Sequence, residues 1–109
     1  MELNNQKGPV SPMEVFHKEA PEVAGAFNNL IKELSSTRGL DSKTRQLIYI
    51  SMKAMQGDTA AVVAHTPMAK QAGASREELK DAVLLTLTVS GIKGVVSCLP
   101  AALSAYDNC

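Results

Sequence analysis

Asp58, Ala61 and His65 stand at i, i+3 and i+7 in the run "GDTAAVVAHTPMAKQAGAS", Gly57 to Ser75. On an α-helix that spacing puts all three side chains on one stripe. A carboxylate and an imidazole two turns apart lie about 10 Å apart along the axis, too far for a direct hydrogen bond. They can flank a ligand held over Ala61, whose methyl leaves room. The imidazole is the group suited to proton transfer near neutrality. The competing reading makes His65 a core histidine bonded to a carbonyl and Asp58 a helix N-cap, since aspartate after Gly57 and before an alanine-rich helix is typical of a cap. Pro67 removes the hydrogen bond to the Val63 carbonyl, and that freed carbonyl offers one way to fix the tautomer of His65.

The elements that must position these residues read as helices. "SPME" at 11–14 carries a capping box, Ser11 with Glu14, and Pro12 at the first helical position. A second helix starts at Pro21, with Val23, Phe27, Leu30, Ile31 and Leu34 in one apolar stripe, and Gly39 is the expected stop. Asp41 caps a third helix whose expected buried face is Leu47, Ile48, Ser51, Met52 and Met55. Gly57 ends it and Asp58 opens the fourth, which Gly73 closes. "SREE" at 75–78 is a second capping box before a fifth helix, and a sixth follows Gly91 to about Tyr106. The β-branched run "LLTLTVSGIKGVVS" also fits a hairpin, but the capping box and the "AALSAY" after Pro100 favour helices. The fold class is therefore all-α, about six helices, with a flexible arm over residues 1–10 and one domain over residues 11–109.

Composition narrows the function. Eleven basic residues balance eleven acidic ones in 109 residues, and aromatics make up only 4%. That excludes a basic nucleic-acid footprint and leaves few platforms for base stacking. No uncharged apolar stretch reaches membrane-span length. Two cysteines, Cys98 and Cys109, make no disulfide framework, so the chain reads as cytoplasmic. Cys98, among small apolar neighbours, reads as a buried thiol, with a redox role only if it lies near His65 and is activated. His17, His65 and Asp58 have no metal-ligand spacing, and nothing calls for a cofactor. Helices four to six are apolar nearly all round, which in so short a chain implies self-association.

The order "LDSKTRQLIYISMKAMQG", a histidine eight residues after that glycine, then "AKQAGASREELKDAVLLT" resembles the carboxymuconolactone decarboxylase family, which includes the alkylhydroperoxidase D-like proteins. The resemblance runs from about Leu40 to Val89. It implies an all-helical domain that assembles into homo-oligomers, trimers or hexamers. The peroxidase branch carries Cys-x-x-Cys-x-x-x-His. Here its cysteine positions fall on Asp58 and Ala61, and its glutamate on Gln46, so a thiol–disulfide cycle at that site has no sulfur to use. The decarboxylase branch lacks those cysteines too and keeps the histidine, although its aromatic-Ala-Gly-Val-Pro segment is here "VSGIKGVVS". The resemblance thus implies acid/base, lyase-type chemistry on a small organic acid or lactone, with His65, Asp58 and Gln46 as the candidate catalytic set. Arg45 would clamp a carboxylate and Ala61 would leave space for the ligand; the bland reading of Arg45 is an i, i+4 pair with Asp41. The alternatives are a non-enzymatic oligomeric module that binds a ligand or partner, and a redox protein using Cys98.

Overall fold

The computed structural model describes residues 11–109, and the arm expected over residues 1–10 lies outside them. The described residues hold no strand. They form α1 (Pro12–Glu19), α2 (Pro21–Ser35), α3 (Ser42–Met55), α4 (Thr59–Gln71), α5 (Arg76–Leu84), α6 (Leu87–Ser90) and α7 (Lys93–Asp107). The chain divides into two compact units between Arg38 and Gly39.

The first unit is a helical hairpin. Ser11 and Glu14 close the expected capping box, and Ala20 ends α1 and begins α2. Phe16 meets Phe27 edge-on, with centroids 5.9 Å apart. His17 donates from Nδ1 to the Met13 carbonyl at 2.8 Å, so its Nε2 is left to accept from the Asn28 amide at 2.6 Å. Ala24 is the one buried side chain of these two helices, and the α2 stripe from Val23 to Leu34 is exposed. α2 ends at Ser35, short of the expected Gly39. The hydroxyls of Ser35, Ser36 and Thr37 donate back to the carbonyls of Ile31, Glu33 and Leu34, satisfying the last turn before the glycine is reached.

The second unit packs α3, α4, α5 and α7 around Ile50, Ala54, Val62, Ala69, Leu79, Val83, Cys98 and Ala102. Its turns follow from the sequence. Gly57 and Gly73 take φ of 72° and 103°, where an L side chain would be strained. Asp41 caps α3 through the Thr44 amide, and Ser75 with Glu78 boxes the start of α5. Lys43 reaches Glu78 at 3.0 Å and Arg76 grips Asp107 with two nitrogens, tying α3 to α5 and α5 to α7. The run that fitted a hairpin is helical, but the expected fifth helix is divided: α5 stops at Leu84, Thr86 turns its hydroxyl onto the Val83 carbonyl, and α6 lasts one turn before Gly91.

The buried face of α3 differs from the expected one. Ile50 and Ala54 are buried, whereas Ile48 and Met52 are 41% and 53% exposed. The cause is a small residue. Ala54 lets α7 approach so closely at Gly94 that a Cβ there would collide with the Ala54 carbonyl. That approach turns Ile48 and Met52 away from the core, into an open groove of about 360 Å³ shared with Thr44, Ser51, Asp81 and Leu85.

Candidate functional site

Gln46, Tyr49 and Lys53 lie at i, i+3 and i+7 on α3, a single stripe that faces the Asp58–Ala61–His65 stripe of α4. The helices run antiparallel through the Gly57 turn, so the stripes meet end to end. At one end His65 Nδ1 sits 3.0 Å from Gln46 Oε1. At the other, Lys53 Nζ is 3.6 Å from Asp58 Oδ2. Between them the Tyr49 ring lies against the imidazole, with centroids 4.3 Å apart and planes tilted by 40°. Lys53 Nζ lies 5.7 Å from the centroid of the same tyrosine ring.

This geometry assigns the tautomer. A carboxamide oxygen only accepts, so Nδ1 carries the proton and Nε2 keeps a lone pair that no residue among those described occupies. The fixing partner is therefore Gln46 and not the carbonyl of Val63. That carbonyl points along the helix toward Pro67, while the imidazole projects sideways to α3. Burial is the main cause that pushes the His65 pKa below its ordinary value, and the positive charge of Lys53 adds to it. The ring is half-buried.

The remaining sequence candidates separate. Asp58 is an N-cap, accepting from the Ala61 amide at 3.1 Å while it faces Lys53. Arg45 donates to the Leu40 carbonyl at 3.1 Å, beside Gln46 on α3. Cys98 is fully buried in the core, with Thr59 Oγ1 3.6 Å from its sulfur. Among the described residues no three His, Cys, Asp or Glu side chains are placed to hold a metal ion, and no helix is long and apolar enough to cross a membrane. The groove of Ile48, Met52 and Leu85 is lined by none of Gln46, Tyr49, Lys53 and His65. Tyr49 and Lys53 escaped the sequence reading, although their spacing from Gln46 matches that of Asp58, Ala61 and His65.

The histidine and glutamine thus meet in space, with aspartate and alanine where thiols would stand. A sequence profile described as the carboxymuconolactone decarboxylase family matches residues 21–104, from the start of α2 into the last turns of α7. The chain belongs to this family. The match is wider on both sides than the Leu40–Val89 resemblance. Among relatives of the family member described here is an uncharacterized protein of Methanocaldococcus jannaschii, 32% identical over 102 residues, which cover 93% of this chain and 95% of that protein. No solved structure matches the chain.

Two expected results follow from the site. Gln46→Glu places a carboxylate against the ring and raises the His65 pKa, because a nearby negative charge favours imidazolium; NMR titration of the His65 ring reads the shift, and an unmoved pKa would mean the two side chains do not meet. The second concerns stability. A histidine whose pKa is lowered on folding binds more protons unfolded than folded between its folded pKa and about 6.5, so stability rises with pH across that window. Acidification below about 6.5 should begin to lower the urea midpoint. Asp41, Glu78 and Asp107 are also held below their usual range, by the Thr44 amide, the Ser75 amide and Arg76 in turn. Their contribution is present above the ordinary carboxylate values and is lost as pH falls through the folded ones. His65→Asn should remove only the upper phase of the decline.

Proposed function

We propose that this family member performs acid/base chemistry on a small organic acid or lactone, with His65 as the proton-transfer group and without thiol chemistry. The observation that carries this reading is the imidazole whose Nδ1–H is fixed by Gln46 and whose Nε2 lone pair is free to work. Loss of CO2 from a lactone carboxylate leaves an electron pair on the adjacent carbon, spread onto the lactone carbonyl oxygen. The imidazolium returns a proton to that carbon. His65 is neutral in the free protein, and the charge of a bound carboxylate raises its pKa so that it can serve as the donor. A cationic side chain on α3 holds the carboxylate, Ala61 leaves space for the ligand, and Asp58 holds the start of α4 in place.

The protein works as a homo-oligomer, a trimer or hexamer. Supporting this are the exposed apolar side chains of the second unit: Met52, Val63 and Met68 on α3 and α4, and Leu85, Leu87, Val89, Ile92 and Val96 at the α5–α7 end. Covering such side chains with a second copy would remove apolar surface from water.

The test is a CO2-release assay with carboxymuconolactone and related lactone carboxylates, on protein whose mass is measured by sedimentation equilibrium. Turnover by an assembled species supports the reading. A second reading, a non-enzymatic binding module, draws on Gln46, which cannot ionise, and on Asp58, which is committed as a cap; binding without turnover would favour it. A monomer would remove the oligomer proposal.

A further inference from the structure

The two tyrosines of this chain are treated differently by the fold. Tyr106 donates its hydroxyl to the Ala74 carbonyl at 2.8 Å, joining α7 to the turn before α5. Tyr49 is half-buried, and its hydroxyl has no hydrogen-bond partner among the described residues. Its ring is nevertheless held in place, packed on the His65 imidazole at 4.3 Å between centroids, with the Lys53 ammonium 5.7 Å from its own centroid. The phenol ring thus packs against the imidazole, and neither the Tyr49 hydroxyl nor the His65 Nε2 is bonded by a described residue.

We propose that Tyr49 is a second ligand-contacting residue of this site, its hydroxyl donating to the carbonyl oxygen of the compound whose proton His65 moves, with Lys53 as the cation that receives the compound's carboxylate. The ligand class is a small lactone or ketone bearing a carboxylate. Three groups then divide the work: Tyr49 holds the oxygen onto which charge moves, His65 exchanges the proton, and Lys53 gives up its 3.6 Å contact with Asp58 for the ligand. A donor aimed at the oxygen where charge develops is the effect that stabilises an enolate most. Lys53 also lowers the His65 pKa in the empty site, so a carboxylate on Lys53 would restore basicity to the imidazole when ligand is bound.

This inference rests on the acid/base reading above, and its test is chosen so that the two fail separately. The probe is 5-oxotetrahydrofuran-2-carboxylate, a saturated lactone acid, titrated into full-length protein while the His65 ring is followed by NMR. Tyr49→Phe should weaken binding about fivefold to tenfold, the worth of one neutral hydrogen bond in a partly buried site, with no change in melting temperature. Lys53→Met should weaken the acid but leave binding of uncharged γ-butyrolactone unchanged. Equal affinity of Tyr49→Phe and the unaltered protein overturns the proposal even if turnover is found. Weakened binding by Tyr49→Phe without any turnover keeps the proposal and removes the catalytic reading. Failure of the unaltered protein to bind the probe overturns the proposal and leaves the acid/base reading to the CO2-release assay.

Discussion

Gly94→Ala should lower the melting temperature of the second unit by on the order of 10–20 °C, which corresponds to about 2–3 kcal/mol in a domain this small. Alanine is the better helix former by about 1 kcal/mol, so propensity alone predicts the opposite sign. The steric term decides it. A Cβ at Gly94 would stand 3.0 Å from the Ala54 carbonyl carbon, nearer still to its oxygen, and 3.5 Å from Thr86 Oγ1. The obstacle is backbone, so no rotamer change relieves it, and α7 must lift away from α3. Overpacking a tight core contact costs about 1–3 kcal/mol, more where backbone has to move. Gly25→Ala in α2 is the control, since nothing lies within 4 Å of a Cβ there. It should be neutral or stabilising by up to about 1 kcal/mol. Thermal melts followed by far-UV circular dichroism read both, and a Gly94→Ala protein melting with the parent would mean that α3 and α7 do not approach this closely.

The same contact shows where sequence reading stops. The helix boundaries were legible because they depend on local chemistry: the Ser11–Glu14 and Ser75–Glu78 boxes, the Asp41 and Asp58 caps and the glycines at 57, 73 and 91 are where the sequence puts them. The face of α3 was not, because packing is set by the partner. Counting large apolar side chains selects Ile48 and Met52, whereas the core is organised around Ala54, whose value lies in what it leaves out. The end of α2 was missed for another reason. Three hydroxyl side chains in a row returned to the helix, and a glycine farther on looked like the stronger signal.

The site was half legible for a related reason. His65, Asp58 and Gln46 follow from spacing and from the family pattern, and the first and last do meet. Tyr49 and Lys53 belong to the same stripe of α3 as Gln46, but a stripe acquires meaning only when the facing helix is known to run antiparallel and in register. Arg45 lies at the edge of that stripe, about 100° from Gln46 and about 40° from Tyr49. Its guanidinium is turned to the Leu40 carbonyl, while Lys53 faces the α4 stripe.

His65→Ala should reduce turnover of a lactone carboxylate by about 10²–10⁴-fold, the usual worth of a positioned acid or base, and leave the fold intact. The second half of that expectation is what gives the first its meaning. His65 is half-buried and makes one side-chain hydrogen bond, to Gln46, so its removal forfeits little packing and leaves Gln46 close enough to the surface to find water. The melting temperature should therefore shift far less than in Gly94→Ala, and a collapse of both activity and fold would point to a structural histidine instead. Added imidazole separates the cases further, because it can enter the vacated space and restore part of the rate only if proton transfer was what was lost. The pH profile supplies a third, independent reading. Because the ring must carry a proton in the complex, and a bound carboxylate favours that proton, kcat/KM of the unaltered protein should be highest on the acid side of the free ring's lowered pKa and fall as pH rises through it. In Gln46→Glu that falling limb should move upward with the ring's pKa. A rate that ignores both the loss of the imidazole and the shift of its neighbour would leave the scaffold standing and the chemistry elsewhere.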